Sequence, residues 1–190
     1  LPGYERLAGV RSGAIPRSDG PPKGVAHTDE VGRNTRSMAL RHDWPPQLWV
    51  NPRTLERYQL IALDRTGYAL KASPHTETNH QGRVIQVEIA GHARDTHLWG
   101  VDIYRWLALE VFRPIWEVAG VPLVAYRDVG LPSSEAYGKH APSRMSIPEW
   151  QAFSGWCAHQ NVPDNDHWDA GQLPLGRILT LAAPQEDDMA

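Results

Sequence analysis

The run from His159 to Gly171, H-Q-N-V-P-D-N-D-H-W-D-A-G, gathers two histidines and three aspartates in thirteen residues. Its Pro, Asn and Gly punctuation is too broken for helix or strand, so it reads as a loop that holds side chains at fixed positions. Those side chains are the ones that bind a divalent metal. Zinc accepts imidazole nitrogen and carboxylate oxygen, and a catalytic zinc site uses three protein ligands with a fourth position left to water. His159 and Asp169, ten residues apart across the Val162-Pro163 bend, supply two ligands. His27, closing the short run K-G-V-A-H, supplies the third, with Thr28 beside it to hydrogen-bond a ligand.

Taken singly, each residue has a plainer use. His159 fits a histidine at a helix C-terminus, Asp169 a turn former, and His27 a solvent-facing or capping group. Their company favours the metal. His167 stands two residues before Asp169 and on its side of an extended loop. It reads either as a further ligand or, preferably, as a proton-carrying imidazole that steadies the oxyanion of a tetrahedral intermediate. Asp164 and Asp166 read as loop-capping or solvated groups. Glu88 lies inside an otherwise apolar strand, where a carboxylate costs free energy unless it is paired or functional. An ion pair with Arg83 or another arginine is one reading. A general base that takes a proton from attacking water is the other.

These groups need a frame. Lys23–His27 reads as a short strand ending at the histidine. Residues 35–42 fit a short helix, which Trp44-Pro-Pro breaks, since proline disfavours helix before it. Gln47–Val50 and Arg57–Leu63 form a hairpin around the turn Asn51–Thr54, and Thr66–Lys71 reads as a further strand. In Arg83–Ala90, Ile85, Val87 and Ile89 face one side and Val84, Gln86 and Glu88 the other. Over Trp99–Ala119 the residues Trp99, Ile103, Trp106, Leu107, Val111 and Ile115 fall at helical spacing, with Pro114 kinking or dividing the helix and Gly120 stopping it. Ser146-Ile-Pro-Glu149 is a capping-box pattern opening a helix to about Trp156, which would place the histidine loop directly after a helix. The order of elements predicts an α/β domain with a central mixed sheet flanked by helices. Residues 1–22 read as an extended arm, 23–181 as the domain and 182–190 as a loose acidic tail.

At 190 residues the chain is long enough to bury a full core. A net charge of −3 argues against a nucleic-acid binder that lives on phosphate contacts. No apolar run approaches the roughly 20 residues of a membrane helix, and no signal-peptide pattern opens the chain, so membrane insertion is not expected. Leu1 in place of Met suggests a trimmed chain or a piece of a longer one. The single cysteine, Cys157, excludes an intrachain disulfide and a Cys-rich zinc site, and reads as a buried, inert thiol. Eight Trp against two Phe suit a core together with an aromatic-lined cleft. His42, His75, His80, His92, His97 and His140 lack comparable company and are assigned to the surface.

Four pieces, G-V-A-H-T-D-E (Gly24–Glu30), T-N-H-Q-G-R-V-I-Q-V-E-I-A-G (Thr78–Gly91), W-Q-A-F-S-G-W (Trp150–Trp156) and the His159–Gly171 motif, together resemble the type 2 N-acetylmuramoyl-L-alanine amidases. That family shares its fold with peptidoglycan recognition proteins, and the likeness is strongest to endolysins of actinobacterial phages. It spans about residues 23–181. The resemblance implies one Zn2+ held by His27, His159 and Asp169 at one end of a surface groove. It implies Glu88 as the catalytic glutamate of the sheet and His167 at the place of a group that steadies the transition state. Trp49, Asn79, Trp156 and Trp168 are the candidates for the groove.

The implied reaction cleaves the amide between the lactyl group of N-acetylmuramic acid and L-Ala of the stem peptide. Bacterial peptidoglycan is then the partner, reached after synthesis in a host cytoplasm and release to the wall, and a separate wall-binding domain on a longer chain fits the same picture. The chain departs from the family at Asp169-Ala-Gly171, where D-P-G is usual, and residues 28–60 match only loosely. A peptidoglycan-binding module without turnover, another zinc peptidase of the wall, and a domain whose histidines are structural are the alternatives.

Overall fold

The computed structural model describes residues 1–7, 20–29, 44–70 and 84–184. Within them six strands form one sheet: β1 (Glu5–Arg6), β2 (Lys23–Asp29), β3 (Leu48–Asn51), β4 (Glu56–Gln59), β5 (Val84–Ala90) and β6 (Gly155–Ala158). Their order across the sheet is β1-β4-β3-β5-β2-β6. Only β3 and β4 pair antiparallel; the other neighbours are parallel. The helices are α1 (Val101–Leu107), α2 (Arg113–Ala119), α3 (Ser133–Ala136), α4 (Ile147–Ala152) and α5 (Leu175–Ala182). None of the described helices is long and apolar enough to cross a membrane.

Every residue of β5 is buried, as expected of a central parallel strand covered on both faces. Ile85, Val87 and Ile89 join Phe112, Ile115, Trp156 and Ile178 in the larger core cluster. On the opposite face, Val84 packs with Val25, Cys157, Met145 and Trp150. Burying one such aliphatic side chain contributes about 1.5–3 kcal/mol, so the two layers hold the central strands firmly. Gly24 is dictated by this packing. Its register partner is Trp156, and a Cβ on residue 24 would stand 2.4 Å from the indole ring.

The expected hairpin is β3–β4, with Asn51 Oδ1 accepting from the N–H groups of Arg53 and Thr54 in the turn. Its second strand ends at Gln59 rather than Leu63, because the N–H groups of Leu60 and Ile61 both turn to the Gln47 carbonyl. The strand expected over Thr66–Lys71 is not formed by residues 66–70. There side chains replace a strand partner: Gln47 Nε2 donates to the Arg65 carbonyl, and Gln86 Oε1 accepts the Leu70 N–H. The helix expected over residues 35–42 lies outside the described residues.

The helical path from Val101 to Ala119 is continuous, but a π-helical turn at Ala108–Phe112 separates α1 from α2. Pro114 explains it. Proline has no N–H and its ring presses on the carbonyl four residues back; that carbonyl belongs to Glu110, and the Tyr4 hydroxyl donates to it at 3.1 Å. Gly120 ends the helix at φ 67°, as its sequence position predicts.

The Ser146–Glu149 capping box is present in full. The helix it opens stops at Ala152, short of the expected Trp156. Gly155, at φ 128°, redirects the chain, and Gly155–Ala158 becomes a strand. His159 therefore follows a strand, not a helix. At the termini, Glu5–Arg6 of the expected arm pairs with the sheet edge. Helix α5 runs to Ala182, where the Arg113 guanidinium binds the carbonyls of Ala182 and Ala183; residues 185–190 of the expected tail lie outside the described residues.

Candidate metal centre

His27 sits near the C-terminal end of β2, Glu88 is its register partner on β5, and Trp49 is the partner of Glu88 on β3. The three side chains lie in one row on one face of the sheet. Strand β6 ends at Ala158, opposite Ala26, so its next residue, His159, enters the same row just beyond the strand. The parallel register, in which β6 ends just where β2 reaches His27, thus brings both histidines together. The residues after β6 make a 3-10 turn (His159–Asn161) and then double back.

The returning loop is held by polar groups. Gln160 Nε2 donates to the carbonyls of Leu131, Trp168 and Gly171, while its Oε1 accepts from the Leu131 N–H. The Gln160 N–H donates to the Asp169 carbonyl at 2.6 Å. Asn161 ties to Ala158 and Ser143, and Asn165 Oδ1 accepts the His167 N–H. Thr96 Oγ1 donates to the carbonyls of Ala93 and Ala170. This network delivers the Asp169 carboxylate to the two strand-end histidines.

Asp169 Oδ1 lies 3.1 Å from His159 Nδ1, and Oδ2 lies 3.9 Å from His27 Nδ1. The His27 and His159 rings stand 4.4 Å apart and tilted by 58°. One ligand atom from each of His27, His159 and Asp169 lies within 4.8 Å of the others. Ligands about 2.0–2.1 Å from a tetrahedral zinc stand roughly 3.3 Å from one another, so both the spacing and the N,N,O donor set suit that ion. The Thr28 N–H donates to Asp169 Oδ2 at 3.1 Å and orients the carboxylate. Burial works against ionising Asp169, but the charge and hydrogen bond of His159, with help from His167 and His27, hold the carboxyl well below the usual range.

His167 is outside this triad. Its side chain is 62% exposed, its Nδ1 lies 3.6 Å from Asp169 Oδ1, and its ring stacks on His159 at 4.5 Å. Hydrogen bonding to Asp169 raises its pKa. Glu88 is buried, and no ion pair to it is found among the described residues; Arg83 is not one of them. Desolvation first, then the charges of Asp169 and Asp29, push its pKa well above the ordinary value. A nearby divalent cation would reverse that electrostatic balance.

A cleft of about 420 Å³ opens beside the triad, lined by Thr28, Asp29, Ala93, Tyr137, Asp166, His167, Trp168 and Asp169. Of the expected groove residues, Trp168 lines it. Trp49 and Trp156 do not, because both are fully buried. Trp49 packs with Leu7, Tyr58, Leu60 and Ile61, and Trp156 makes an edge contact with Phe112 at 4.5 Å. They are core residues because their strand positions point them into packed layers. Asn79 lies outside the described residues, as do His42, His75 and His80. His97 and His140 are exposed as expected, whereas His92 is half-buried. Burial pushes the Cys157 thiol up, consistent with an inert group.

Four contributors had gone unmarked in the sequence: Asp29 and Tyr137 on the cleft wall, and Gln160 and Arg144 behind the loop. The Asp29 position at the end of β2 was the available signal.

No protein-family model matches the chain, and no curated protein matches its sequence. Among solved structures, the chain is similar to the Staphylococcus aureus hydrolase AmiA, solved in complex with its ligand. The TM-score is 0.54 at 11% identity, over 94% of this chain and 81% of AmiA. At that identity the likeness establishes the fold alone: a mixed α/β domain with a helix-flanked sheet, similar to that of this hydrolase.

Proposed function

We propose that this chain is a zinc-dependent amidase of bacterial peptidoglycan, cleaving the bond between N-acetylmuramic acid and the L-Ala of the stem peptide. We assign it to the type 2 N-acetylmuramoyl-L-alanine amidases, as the catalytic domain of a phage endolysin made in a host cytoplasm and released to the wall. The observation that carries the reading is the convergence of His27, on strand β2, with His159 and Asp169, from one loop far along the sequence, within 4.8 Å at the edge of a cleft. The AmiA-like fold and the four sequence motifs support it.

His27, His159 and Asp169 would hold the ion. When bound there, zinc supplies Lewis-acid chemistry, the class that polarises an amide carbonyl and acidifies water. Glu88, beside His27 in the sheet, takes a proton from the attacking water and passes it to the departing amine nitrogen. The C–N bond breaks, the lactyl group leaves as a carboxylate, and the peptide leaves with a free N-terminal L-Ala. His167, whose Nδ1 lies 3.6 Å from Asp169 Oδ1, offers its other ring nitrogen to the oxyanion of the tetrahedral intermediate. Trp168 and Tyr137 form apolar walls for the sugar and peptide.

A soluble muramoyl peptide incubated with the protein tests the bond. With an N-acetylmuramoyl peptide as the substrate, mass spectrometry is expected to find N-acetylmuramic acid and a peptide beginning with L-Ala. Cleavage elsewhere in the peptide would make the protein a different wall hydrolase. Tight binding with no cleavage would make it a binding module.

A further inference from the structure

Arg144 lies in the segment between α3 and α4, half-buried behind the ligand loop, and has no part in the chemistry described above. Its guanidinium meets backbone carbonyls throughout. Nη2 donates to His167 at 2.7 Å and to Ala136 at 3.3 Å. Nη1 donates to Gln160 at 2.8 Å and, more weakly, to His159 and Val162, each at 3.4 Å. Nε donates to Gly138 at 3.1 Å. Five N–H groups in a rigid plane thus serve six carbonyls from three stretches of chain. One stretch begins at the ligand His159. The second carries His167. The third flanks Tyr137, which also lines the cleft.

We infer that Arg144 is the positioning residue of the site: it fixes His167 over His159 and ties the stretch that carries Tyr137 to the ligand loop. The planar fork is what the task requires. A compact ammonium has three donors and cannot span carbonyls on opposite sides of a loop. Burial works against the charge of Arg144, while Asp166 and Asp169 favour it, so the cation also lies in the field of a ligand carboxylate. Without it, the carbonyls of residues 159–167 lose their common anchor. The stack of His159 on His167, 4.5 Å apart and 18° from parallel, then keeps only the restraint that Asn165 gives the His167 N–H and that Gln160 gives the loop.

The role in zinc binding rests on the metal-site reading above; the effect on loop geometry does not. The test therefore uses two readouts on Arg144→Ala and Arg144→Lys, each checked for a cooperative melt. One is zinc affinity by chelator competition. The other, in metal-free protein, is the set of NMR cross-peaks between the ring protons of His159 and His167. Arg144→Ala is expected to weaken zinc binding tenfold or more, the scale on which partners that orient metal ligands act (about 10–100-fold), and to lose the cross-peaks. Dilute guanidinium ion should restore both. Arg144→Lys, the variant to rely on if Arg144→Ala does not fold, should show both losses at smaller size.

Wild-type affinity and intact cross-peaks in folded variants, with only a lower Tm, would overturn the inference and leave the amidase reading standing. A wild-type protein that neither binds zinc nor cleaves the muramoyl peptide would overturn the amidase reading. The cross-peaks would still decide the role of Arg144.

Discussion

The site has two halves built by different physics. His27 and Glu88 stand on β2 and β5, where register and two buried layers fix them. His159, His167 and Asp169 stand around a loop held by Gln160, Asn161, Asn165 and Arg144 through hydrogen bonds to backbone. The first half is non-directional packing, spread over many residues. The second is directional, and a few side chains carry it. It follows that loosening the packing that frames the strand half should cost stability, whereas loosening the hydrogen bonds that frame the loop half should also cost metal affinity.

The largest effect should come from the loop half. His159→Ala is expected to lose bound zinc and all measurable turnover, and to melt lower, because bound metal contributes to folding free energy; metal analysis of the purified protein checks this. Full zinc occupancy would contradict the ligand assignment. Next, Trp156→Ala should cost about 3–5 kcal/mol of stability, the range for an aromatic removed from a core. Denaturant melts measure it, and a loss near zero would return Trp156 to the cleft surface.

Glu88→Gln should keep its zinc while turnover falls at least about a hundredfold, the scale of a positioned general base. Near-normal turnover would take Glu88 out of the mechanism. Gln160→Ala leaves buried carbonyls unpaired and is expected to cost about 1–3 kcal/mol. Unlike Trp156→Ala, it should also weaken zinc binding, and a loss of stability without a loss of affinity would erase the contrast between the halves. Smallest is Ser146→Ala, which removes the cap of α4 for about 1 kcal/mol. It should leave turnover of the folded protein unchanged.

The strand half was the more legible in sequence. The alternation of Arg83–Ala90 located β5, and the carboxylate breaking it marked Glu88. Residue type and shared context located His27, His159 and Asp169, which the fold then brought together. Strand β6 was missed because the capping box at Ser146 and the spacing of Trp150, Phe153 and Trp156 continue a helical pattern. The interruption is Gly155, whose positive φ is a tertiary outcome. Trp49 and Trp156 were misassigned because an indole suits a core and a cleft equally; the sheet face decides, and composition does not. Arg144 and Gln160 act on backbone carbonyls in irregular chain, where no periodicity announces them.

The central claim is that the three converging ligands hold a zinc on which wall hydrolysis depends. Its most direct test is digestion of purified peptidoglycan by the native protein, by the EDTA-treated protein, and by that protein with zinc restored, with the soluble products read by mass spectrometry. The account predicts stem peptides beginning with L-Ala, absent after EDTA and recovered with zinc. Release of those peptides at an undiminished rate from protein shown to be metal-free would contradict it.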